Sequence, residues 1–419
     1  FNLSDVAVAG KFADYKALGA VGSTSLLVSL FIGFLLGMGN GVNVCAARRL
    51  GAGDARGTER TVCSSFVMCV LIGVIVGLLC FIFSRPLLEL LRTKDEFIDG
   101  AELYLKIYAL GMPAMGIFNF GNGVLSACGE TKRPLTYLTI AGVLNVILNL
   151  FFVIVCGKAA DGVAIASVIS EYLSAFLIVR HLVMRRDSCR LRFSRAYIDA
   201  DCCRSVLMLG IPSGIQSAIF AVANLFVQSG VNSFDAMLVS GNSAAANADT
   251  LIYNVMAAFY VGCSSFVSRN LGAGKYDRVK KSYVVGLVYS FAVGSLLGGL
   301  LLIFGREFLS VFANEPEVIE CGMERIHIMG WSYAISAFMD CTIAASRGIG
   351  KTVVPTVIVI LGSCVFRVAW VYTVFAYFRT ITSLYLLYSF SWVITATAEI
   401  TYFVICYKRI VKLAESGVH

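Results

Sequence analysis

The sequence predicts an all-α integral membrane protein whose twelve transmembrane helices, the first of them incomplete, form two parallel repeats of six. Three observations predict this class. The chain is 58% hydrophobic and only 14% charged, whereas ordinary soluble domains are about 25% charged. It contains many apolar runs that are long enough to cross a bilayer. Its short motifs also recur half a chain apart.

The apolar runs predict the individual helices. The run SSFVMCVLIGVIVGLLCFIF at 64–83 carries no charge, and as a helix it would span roughly 30 Å of hydrocarbon. It is one of many such runs, so it is not a targeting segment. The predicted spans, within a few residues at each end, are 1–10, 17–47, 61–83, 99–128, 134–156, 161–180, 205–233, 236–268, 282–304, 318–346, 353–378 and 382–407.

The net charge of +8 indicates membrane topology rather than a nucleic-acid partner. When the connections are assigned alternately to the two sides of the membrane, 23 of the 34 Lys and Arg residues fall on one side. The positive-inside rule places that side in the cytoplasm, together with the C-terminus. We therefore expect a multi-pass protein of the cytoplasmic (inner) membrane that binds no nucleic acid.

Glycine turns carry the internal repeat. LGAG occurs in RRLGAGDARG at 48–57 and again, 221 positions later, in RNLGAGKYDR at 269–278. GETKRP at 129–134 and GKTVVP at 350–355 are separated by the same offset. Six predicted spans separate equivalent points, and an even number gives both repeats the same orientation, related by an axis along the membrane normal.

The repeat also predicts the domain boundaries. We expect six-helix bundles at 1–184 and 205–407, a basic cytoplasmic linker at 185–204 and a cytoplasmic tail at 408–419. The second bundle opens with a full span at 205–232, whereas its counterpart begins only at 1–10. We therefore expect roughly twenty residues of the first helix, most of a membrane span, to be absent from this chain.

The glycine motifs predict turns and helix contacts rather than a phosphate site. A dinucleotide fingerprint needs G-x-G-x-x-G after a strand, but the stretch at 51–57 spaces its glycines as G-x-G-x-x-x-G after a membrane helix. SRGIGKT at 346–352 resembles a nucleotide loop, but Ala345 stands where its first glycine is needed. We expect glycine to cap each helix at the turn. The glycines at every fourth position in 33–41 predict close helix packing.

Asp5 is a candidate ion-binding residue. A charge near the bilayer centre costs at least about 2.5 to 3.5 kcal/mol on insertion scales, so an intramembrane charge needs a reason. Asp5 lies within the surviving end of the first helix, and burial favours the neutral form of a carboxyl. It is therefore a candidate proton or sodium site, the alternative being an interfacial Asp that caps a helix or snorkels to water.

Further polar residues fall within the predicted spans. Asn145 and Asn149 are one turn apart and share a helix face, where they either bind something or join helices. Arg367 and Glu399 would pair with each other or with Asp340, whose repeat partner is Asn119. The candidates for a substrate cavity are Asn119, Glu171, Gln216, Asp340, Arg367 and Glu399.

Two neighbouring charge pairs lie near helix starts on the predicted outer side. They are Glu102 with Lys106 and Glu324 with Arg325. We expect both to form local ion pairs at the membrane interface.

Cysteine and histidine usage argues against a metal site and an enzyme. Most of the fourteen cysteines lie in apolar spans and none forms C-x-x-C, so they serve as small apolar residues. The three histidines, His181, His327 and His419, are scattered along the chain. A membrane-embedded enzyme would need a cluster of such groups in one layer. We expect no enzyme, no cofactor and no resident metal.

Several motifs together resemble the multidrug and toxic compound extrusion (MATE) transporters. They are the twin LGAG turns, GETKRP at 129–134, RGIGKTVVP at 347–355, the segment from 145 to 170 and IPSGIQS at 211–217. The resemblance covers almost the whole chain. It implies two six-helix bundles forming a V-shaped cleft, and antiport in which an inward proton or sodium gradient expels organic cations and other amphipathic compounds. It implies a monomer in the lipid bilayer with small-molecule substrates.

The resemblance also implies roles for individual residues. Asp5 falls where the family places its first-helix coupling Asp, and Asn145 matches the fifth-helix Asn of the prokaryotic branch similar to DNA-damage-inducible efflux proteins. That branch often has Asp where this chain has Asn149. Another branch carries an acidic residue about one turn from Asp340. The alternative function is a flippase of lipid-linked or polysaccharide precursors, which needs a cationic cavity; Arg367 is the main residue that would fit one.

Overall fold

A computed structural model describes residues 5, 8, 15–91, 93–194, 197–312 and 315–416. These residues are helical apart from short connections, and they contain no strand. The predicted all-α class is therefore confirmed. The predicted span 1–10 lies outside the described residues except for Asp5 and Val8, both of which are helical.

From Tyr15 onward, twelve helical segments follow one another in the described part of the chain. Nine of them are long and apolar enough to cross a membrane, which confirms a multi-pass membrane protein. The segments are α1 (Tyr15–Gly51), α2 (Ala55–Leu90), α3 (Asp95–Ala109), α4 (Met112–Cys128), α5 (Lys132–Val155), α6 (Ala160–Met184), α7 (Ala200–Val231), α8 (Ala236–Gly272), α9 (Tyr276–Ser310), α10 (Pro316–Gly348), α11 (Val353–Phe378) and α12 (Ile381–Glu415).

The predicted span 99–128 is broken, which corrects the sequence-based prediction of one continuous helix. α3 ends at Ala109 and α4 begins at Met112, with Leu110 and Gly111 in a tight turn between them. Pro113 lies in the first turn of α4. It has no N–H for a continuing helix and its ring clashes with the preceding turn, so the chain restarts there.

Contacts divide the chain into two units, unit 1 at Phe1–Ala218 and unit 2 at Ile219–His419. The division falls inside α7, whose first part packs within unit 1. In unit 1, α4 and α6 pack against each other, α1 and α2 pack against α4, and α3 and α5 pack against α6. In unit 2, α10 packs against α8, α9 and α12, and α11 lies along α12.

The basic segment between α6 and α7 is anchored to unit 1. Arg185 Nη1 donates to Glu130 Oε1 at 2.8 Å, and its guanidinium also binds Asp187. The hydrogen bonds from Arg185 hold the pKa of Asp187 below its usual value. Cys189 and Leu191 are buried in the core of unit 1. This segment is therefore packed rather than extended into solvent.

The repeated glycine turns have the same backbone conformation in both units. Gly53 and Gly274 have φ of 70° and 68°, and Gly129 and Gly350 have φ of 84° and 83°. These are left-handed conformations in which glycine is favoured. At the first pair of turns, the backbone N–H groups of Gly53 and Gly274 donate to the helix carbonyls of Leu50 and Leu271 at 3.2 and 3.0 Å. The turns are helix caps, as predicted.

The glycine stripe of α1 packs on the first part of α7, as its spacing predicts. A Cβ added at Gly37 would lie 2.2 Å from the backbone nitrogen of Gly214, and one added at Gly41 would lie 2.8 Å from that of Gly210. Both helices present glycines four residues apart at this contact. Their backbones therefore approach more closely than any other residue would allow.

Replacing Gly37 by Ala should destabilise unit 1, because the added methyl group meets the α7 backbone, which has no flexible side chain to move aside. Overpacking of this kind costs about 1–3 kcal/mol. The matched control is Gly22→Ala in the same helix, where an added Cβ meets nothing within 4 Å. Thermal unfolding in detergent should show a lower midpoint for G37A and an unchanged or higher one for G22A. Equal midpoints for the two variants would contradict the close helix contact.

Candidate functional site

Asp5 is fully buried and its carboxylate accepts four hydrogen bonds. The hydroxyls of Ser167 and Tyr104 donate to Oδ2 at 2.6 and 3.1 Å. The amides of Asn149 and Asn145 donate to Oδ1 at 2.9 and 3.4 Å. Asp5 makes no ion pair with any described residue. Among the described residues its charge is therefore balanced by neutral donors, an arrangement that can stabilise an ionised carboxylate away from water.

Helical spacing positions these donors. A further bond joins Asn145 to Ser167 at 3.0 Å, and Asn149 donates to the side-chain oxygen of Asn145 at 3.3 Å. Residues four apart lie on one helix face, so each of three helices presents a pair of polar side chains. The pairs are Tyr104 and Tyr108 on α3, Asn145 and Asn149 on α5, and Ser167 and Glu171 on α6.

The structure brings Asp5 together with the two amides singled out from the sequence, Asn145 and Asn149. Their role in ion coupling stays a prediction. The sequence-based reasoning missed Tyr104 and Ser167 as members of this cluster. Their sequence signal was available, because each is followed one turn later by a second polar residue inside an apolar span.

Glu171 lies near this cluster. Its side chain is 2% exposed, it contacts Gly111 at the break between α3 and α4, and the Tyr108 hydroxyl faces it. Asn119 and Gln216 are also buried in unit 1. The role of these three residues in binding substrate stays a prediction.

In unit 2, Arg367 makes no ion pair with any described residue, so the expected pairing with Glu399 or Asp340 is not present. Arg367 is 2% exposed, and its Nε and Nη1 donate to Ser391 Oγ at 3.3 Å and to Asn224 Oδ1 at 3.2 Å. Its guanidinium also lies over the rings of Tyr388 and Phe220, at 4.6 and 5.3 Å from their centroids.

The two acidic candidates of unit 2 are near another arginine. Glu399 is fully buried, and neither of its carboxylate oxygens has a hydrogen-bond partner in the described part of the chain. Asp340 is half-buried. Arg347 exerts a favourable electrostatic interaction on both carboxylates. Whether Asp340, Arg367 and Glu399 bind substrate stays a prediction.

The structure contradicts one predicted ion pair, that of Glu324 with Arg325. Lys106 pairs with Glu102 at 2.6 Å as expected, but Arg325 turns away from Glu324 into unit 2. It is buried, forms an ion pair with Asp249 and donates from Nη1 to Asn242 Oδ1 at 2.7 Å. Helix spacing explains the error, because the neighbouring residues 324 and 325 point in different directions around α10.

Aromatic side chains complete this network. Tyr333 donates to Asp249, and Tyr385 donates to Asn242 Oδ1 at 3.1 Å. The Arg325 guanidinium lies 5.2 and 5.4 Å from the ring centroids of Tyr385 and Tyr388. The network joins α8, α10 and α12. Its sequence signal was Asp249, an acidic residue inside the span 236–268 that sequence reasoning passed over.

The repeat offset relates the two polar clusters. Arg325 stands 221 positions after Tyr104, and Tyr388 stands 221 positions after Ser167. Equivalent places therefore carry a carboxylate with neutral donors in unit 1 and an arginine stacked on tyrosines in unit 2.

A family model described as MatE matches residues 1–151 and 212–373. The chain belongs to the MatE family. Among curated relatives of this MatE protein is the probable multidrug resistance protein YpnP of Bacillus subtilis, 25% identical over 80% of this chain and 74% of its own length. The FAD transporter of Shewanella oneidensis is 23% identical over 76% of this chain and 72% of its own length.

Solved structures of transporters share the fold of this MatE protein. A MOP superfamily transporter from Pyrococcus furiosus superposes with a TM-score of 0.90 at 18% identity, covering 98% of this chain and 92% of its own. A MATE structure in the bent conformation gives 0.89 at 19% identity, covering 99% and 92%. The chain is thus a multi-pass membrane protein of a family of multidrug efflux transporters.

Replacing Asp249 by Asn should strongly destabilise this MatE protein, because the buried Arg325 would lose its counter-charge. Removing one partner of a buried ion pair costs about 3–5 kcal/mol, whereas an exposed pair is worth about 0–1 kcal/mol. The control is Glu89→Gln, which removes an exposed partner of Arg85. Thermal unfolding in detergent should show a large fall in midpoint for D249N only. A fall no larger than that of E89Q would argue against a stabilising ion pair.

Proposed function

We propose that this protein is a secondary active efflux transporter that exchanges organic cations, and other amphipathic compounds, for protons by alternating access. The observation that supports this most directly is the Asp5 carboxylate, which is fully buried and surrounded by four neutral donors. A membrane protein has little reason to retain such a group unless its charge is used. Binding and releasing a proton during transport would use the charge of this carboxylate.

The donor shell favours a proton over a sodium ion. Two hydroxyls and two amide nitrogens point their hydrogens at Asp5. A hard cation such as sodium needs several oxygen ligands, so the two amides would have to turn their oxygens rather than their nitrogens toward it. A proton needs only one carboxylate oxygen.

Protonation of Asp5 would change the packing of unit 1. An ionised carboxylate only accepts hydrogen bonds, whereas a protonated oxygen becomes a donor. At least one of the donors on α3, α5 or α6 must then turn away or find another acceptor. The three helices would therefore prefer different arrangements in the two protonation states. Protonation can shift this equilibrium only by the difference in proton affinity between the two arrangements.

We further propose that the protein acts as a monomer in the cytoplasmic membrane, with its C-terminus in the cytoplasm and without a cofactor. The asymmetric distribution of Lys and Arg supports this orientation. Protons entering from outside would reach Asp5 and be released to the cytoplasm while substrate leaves. Two bundles, a basic linker and a short tail stay our proposal for the domain organisation.

Replacing Asp5 by Asn should abolish uphill transport of ethidium in proteoliposomes, because the side chain keeps its hydrogen-bonding shape but cannot exchange a proton. We expect the accumulation ratio to fall by about tenfold or more, within the usual range of coupling between two ligand sites. Ethidium binding itself should persist. The control is Asp161→Asn, whose carboxylate pairs with Lys158 near a helix start. Undiminished uphill transport by D5N would exclude Asp5 as the coupling site.

The same vesicles identify the coupling ion. A protonophore should collapse transport by the unchanged protein, and omission of sodium should leave it intact. Transport that survives the protonophore and stops without sodium would replace the proton by sodium in this proposal.

A second candidate function is transport of a substrate with a negatively charged group, such as a nucleotide cofactor or a lipid-linked precursor. Arg367 favours it, because this buried guanidinium makes no ion pair with a described residue: its hydrogen bonds go to neutral acceptors, and Asp340 acts on it only from a longer distance. A buried charge is normally paired. The relative that transports FAD agrees with a substrate of this chemistry.

Replacing Arg367 by Gln should separate the two candidates. If an anionic group is held there, FAD binding should weaken by about tenfold to a hundredfold, since a hydrogen bond to a charged group is worth about 1.5–3 kcal/mol. Ethidium binding should stay unchanged. Arg306→Gln, which removes an exposed partner of Glu320, serves as control. No measurable FAD binding by the unchanged protein would eliminate the second candidate.

A further inference from the structure

A second carboxyl, that of Glu171, lies buried in unit 1 and takes no part in the hydrogen bonds around Asp5. It is 2% exposed, and in the described part of the chain only the Tyr108 hydroxyl faces its oxygens, outside ordinary hydrogen-bond geometry. It makes no ion pair with any described residue. An ionised carboxylate in these surroundings would be strongly disfavoured. The geometry therefore favours a carboxyl that carries a proton in this arrangement of unit 1.

The break between α3 and α4 makes room for this carboxyl. A Cβ added at Gly111 would lie 1.9 Å from Glu171 Oε2, so only glycine leaves the space that the carboxyl occupies. The next residue on α6, Tyr172, donates to the carbonyl of Leu110 at 3.0 Å, which holds α6 against the break. The turn and the carboxyl are thus fitted to each other.

Two tyrosines connect Glu171 with Asp5. Tyr104 donates to Asp5 at 3.1 Å and stacks on Tyr108, with ring centroids 5.7 Å apart and planes at 16°. Tyr108 in turn faces Glu171. Besides these two phenols and Asp5, no titratable or charged side chain of a described residue acts on Glu171. Each carboxyl therefore senses the charge of the other across the same pair of rings.

The arrangement is particular to unit 1. The residues 221 positions after Tyr108 and Glu171 are Met329 and Trp392, and α10 runs unbroken through the region that corresponds to the turn at Gly111. The Glu171 carboxyl, the Tyr108 phenol and the break at Gly111 thus occur together in unit 1, and unit 2 has none of the three at the equivalent positions. Duplication alone does not explain their presence in unit 1.

We propose that Glu171 is a second proton-binding residue of the transport cycle, linked to Asp5 through the stacked tyrosines. This inference rests on the proposed proton antiport. It assigns Glu171 to ion coupling rather than to the substrate cavity. Each cycle then moves two protons inward, one bound at Asp5 and one at Glu171, while one substrate molecule moves outward. No covalent bond other than the two O–H bonds forms or breaks.

Two protons change the electrical character of the exchange. Ethidium carries one positive charge, so exchange for one proton is electroneutral, whereas exchange for two protons moves one net charge inward. Moving one elementary charge through about 100 mV corresponds to about 2.3 kcal/mol, which is about fiftyfold in an accumulation ratio. The dependence of ethidium accumulation on membrane potential therefore shows whether one or two protons are exchanged for each ethidium.

The test imposes a potassium diffusion potential, with valinomycin, on proteoliposomes that contain the full chain. At a fixed pH gradient, a potential of about 100 mV should change ethidium accumulation by the unchanged protein about fiftyfold. Glu171→Gln should keep transport driven by the pH gradient but lose the response to potential. Glu171→Asp should restore the response, and Glu89→Gln should not affect it.

The outcomes separate this inference from the proposed function. If the unchanged protein shows no transport driven by a pH gradient, proton antiport itself fails. If it does, while E171Q responds to potential as strongly as the unchanged protein, Glu171 is not a proton site and antiport through Asp5 stands.

A second measurement covers the case in which E171Q does not fold. The purified, unchanged protein in detergent should show the infrared C=O stretch of a protonated carboxyl at neutral pH, and ethidium binding should diminish it. Gly111→Ala should shift this band, because the added methyl group displaces the Glu171 carboxyl. An unchanged band in G111A, or no response to ethidium, would overturn the proposal.

Discussion

The structure of unit 1 depends on one buried carboxylate, that of Asp5, whose hydrogen-bond partners among the described residues are all neutral. Asp5 accepts hydrogen bonds from α3, α5 and α6 at once, so it fixes the facing sides of three helices. Because its partners in the described part of the chain are all neutral donors, the cluster has no counter-charge among those residues. Its hydrogen bonds therefore depend directly on whether the carboxyl is ionised, which is the property a proton-driven device requires.

The two units solve the problem of a buried charge in opposite ways. Around Arg325, unit 2 provides a counter-charge in Asp249, an amide oxygen and two ring faces. Such a network, once complete, resists change, because every alternative leaves a charge unpaired. The cluster around Asp5 has no comparable penalty for gaining a proton. Duplication has thus left equivalent positions with opposite polarity, one suited to rigidity and one to titration.

Much of the fold and part of the site could be predicted from the sequence, for identifiable reasons. Apolar run length and glycine spacing are local properties, so the helices and the turns at Gly53 and Gly274 follow from them. Asp5, Asn145 and Asn149 stood out because polar groups are rare in membrane helices. The ion pair between Arg325 and Asp249 could not be predicted in this way, because 76 residues separate the two partners in the sequence. The break at Gly111 was missed because an apolar run hides it, although Pro113 marks the place.

The contact of α1 with the first part of α7 bears on the order in which the chain is made. Gly37 packs on Gly214. Unit 1 is therefore completed by the first part of α7, although α7 is the first helix of the second sequence repeat. Unit 1 cannot complete its packing when α6 leaves the ribosome. At about 5–20 residues per second, synthesis of the chain from the end of α6 to Ser217 takes roughly 2–7 s. During that interval the glycine stripe of α1 is uncovered, and lipids or an insertion factor must cover it.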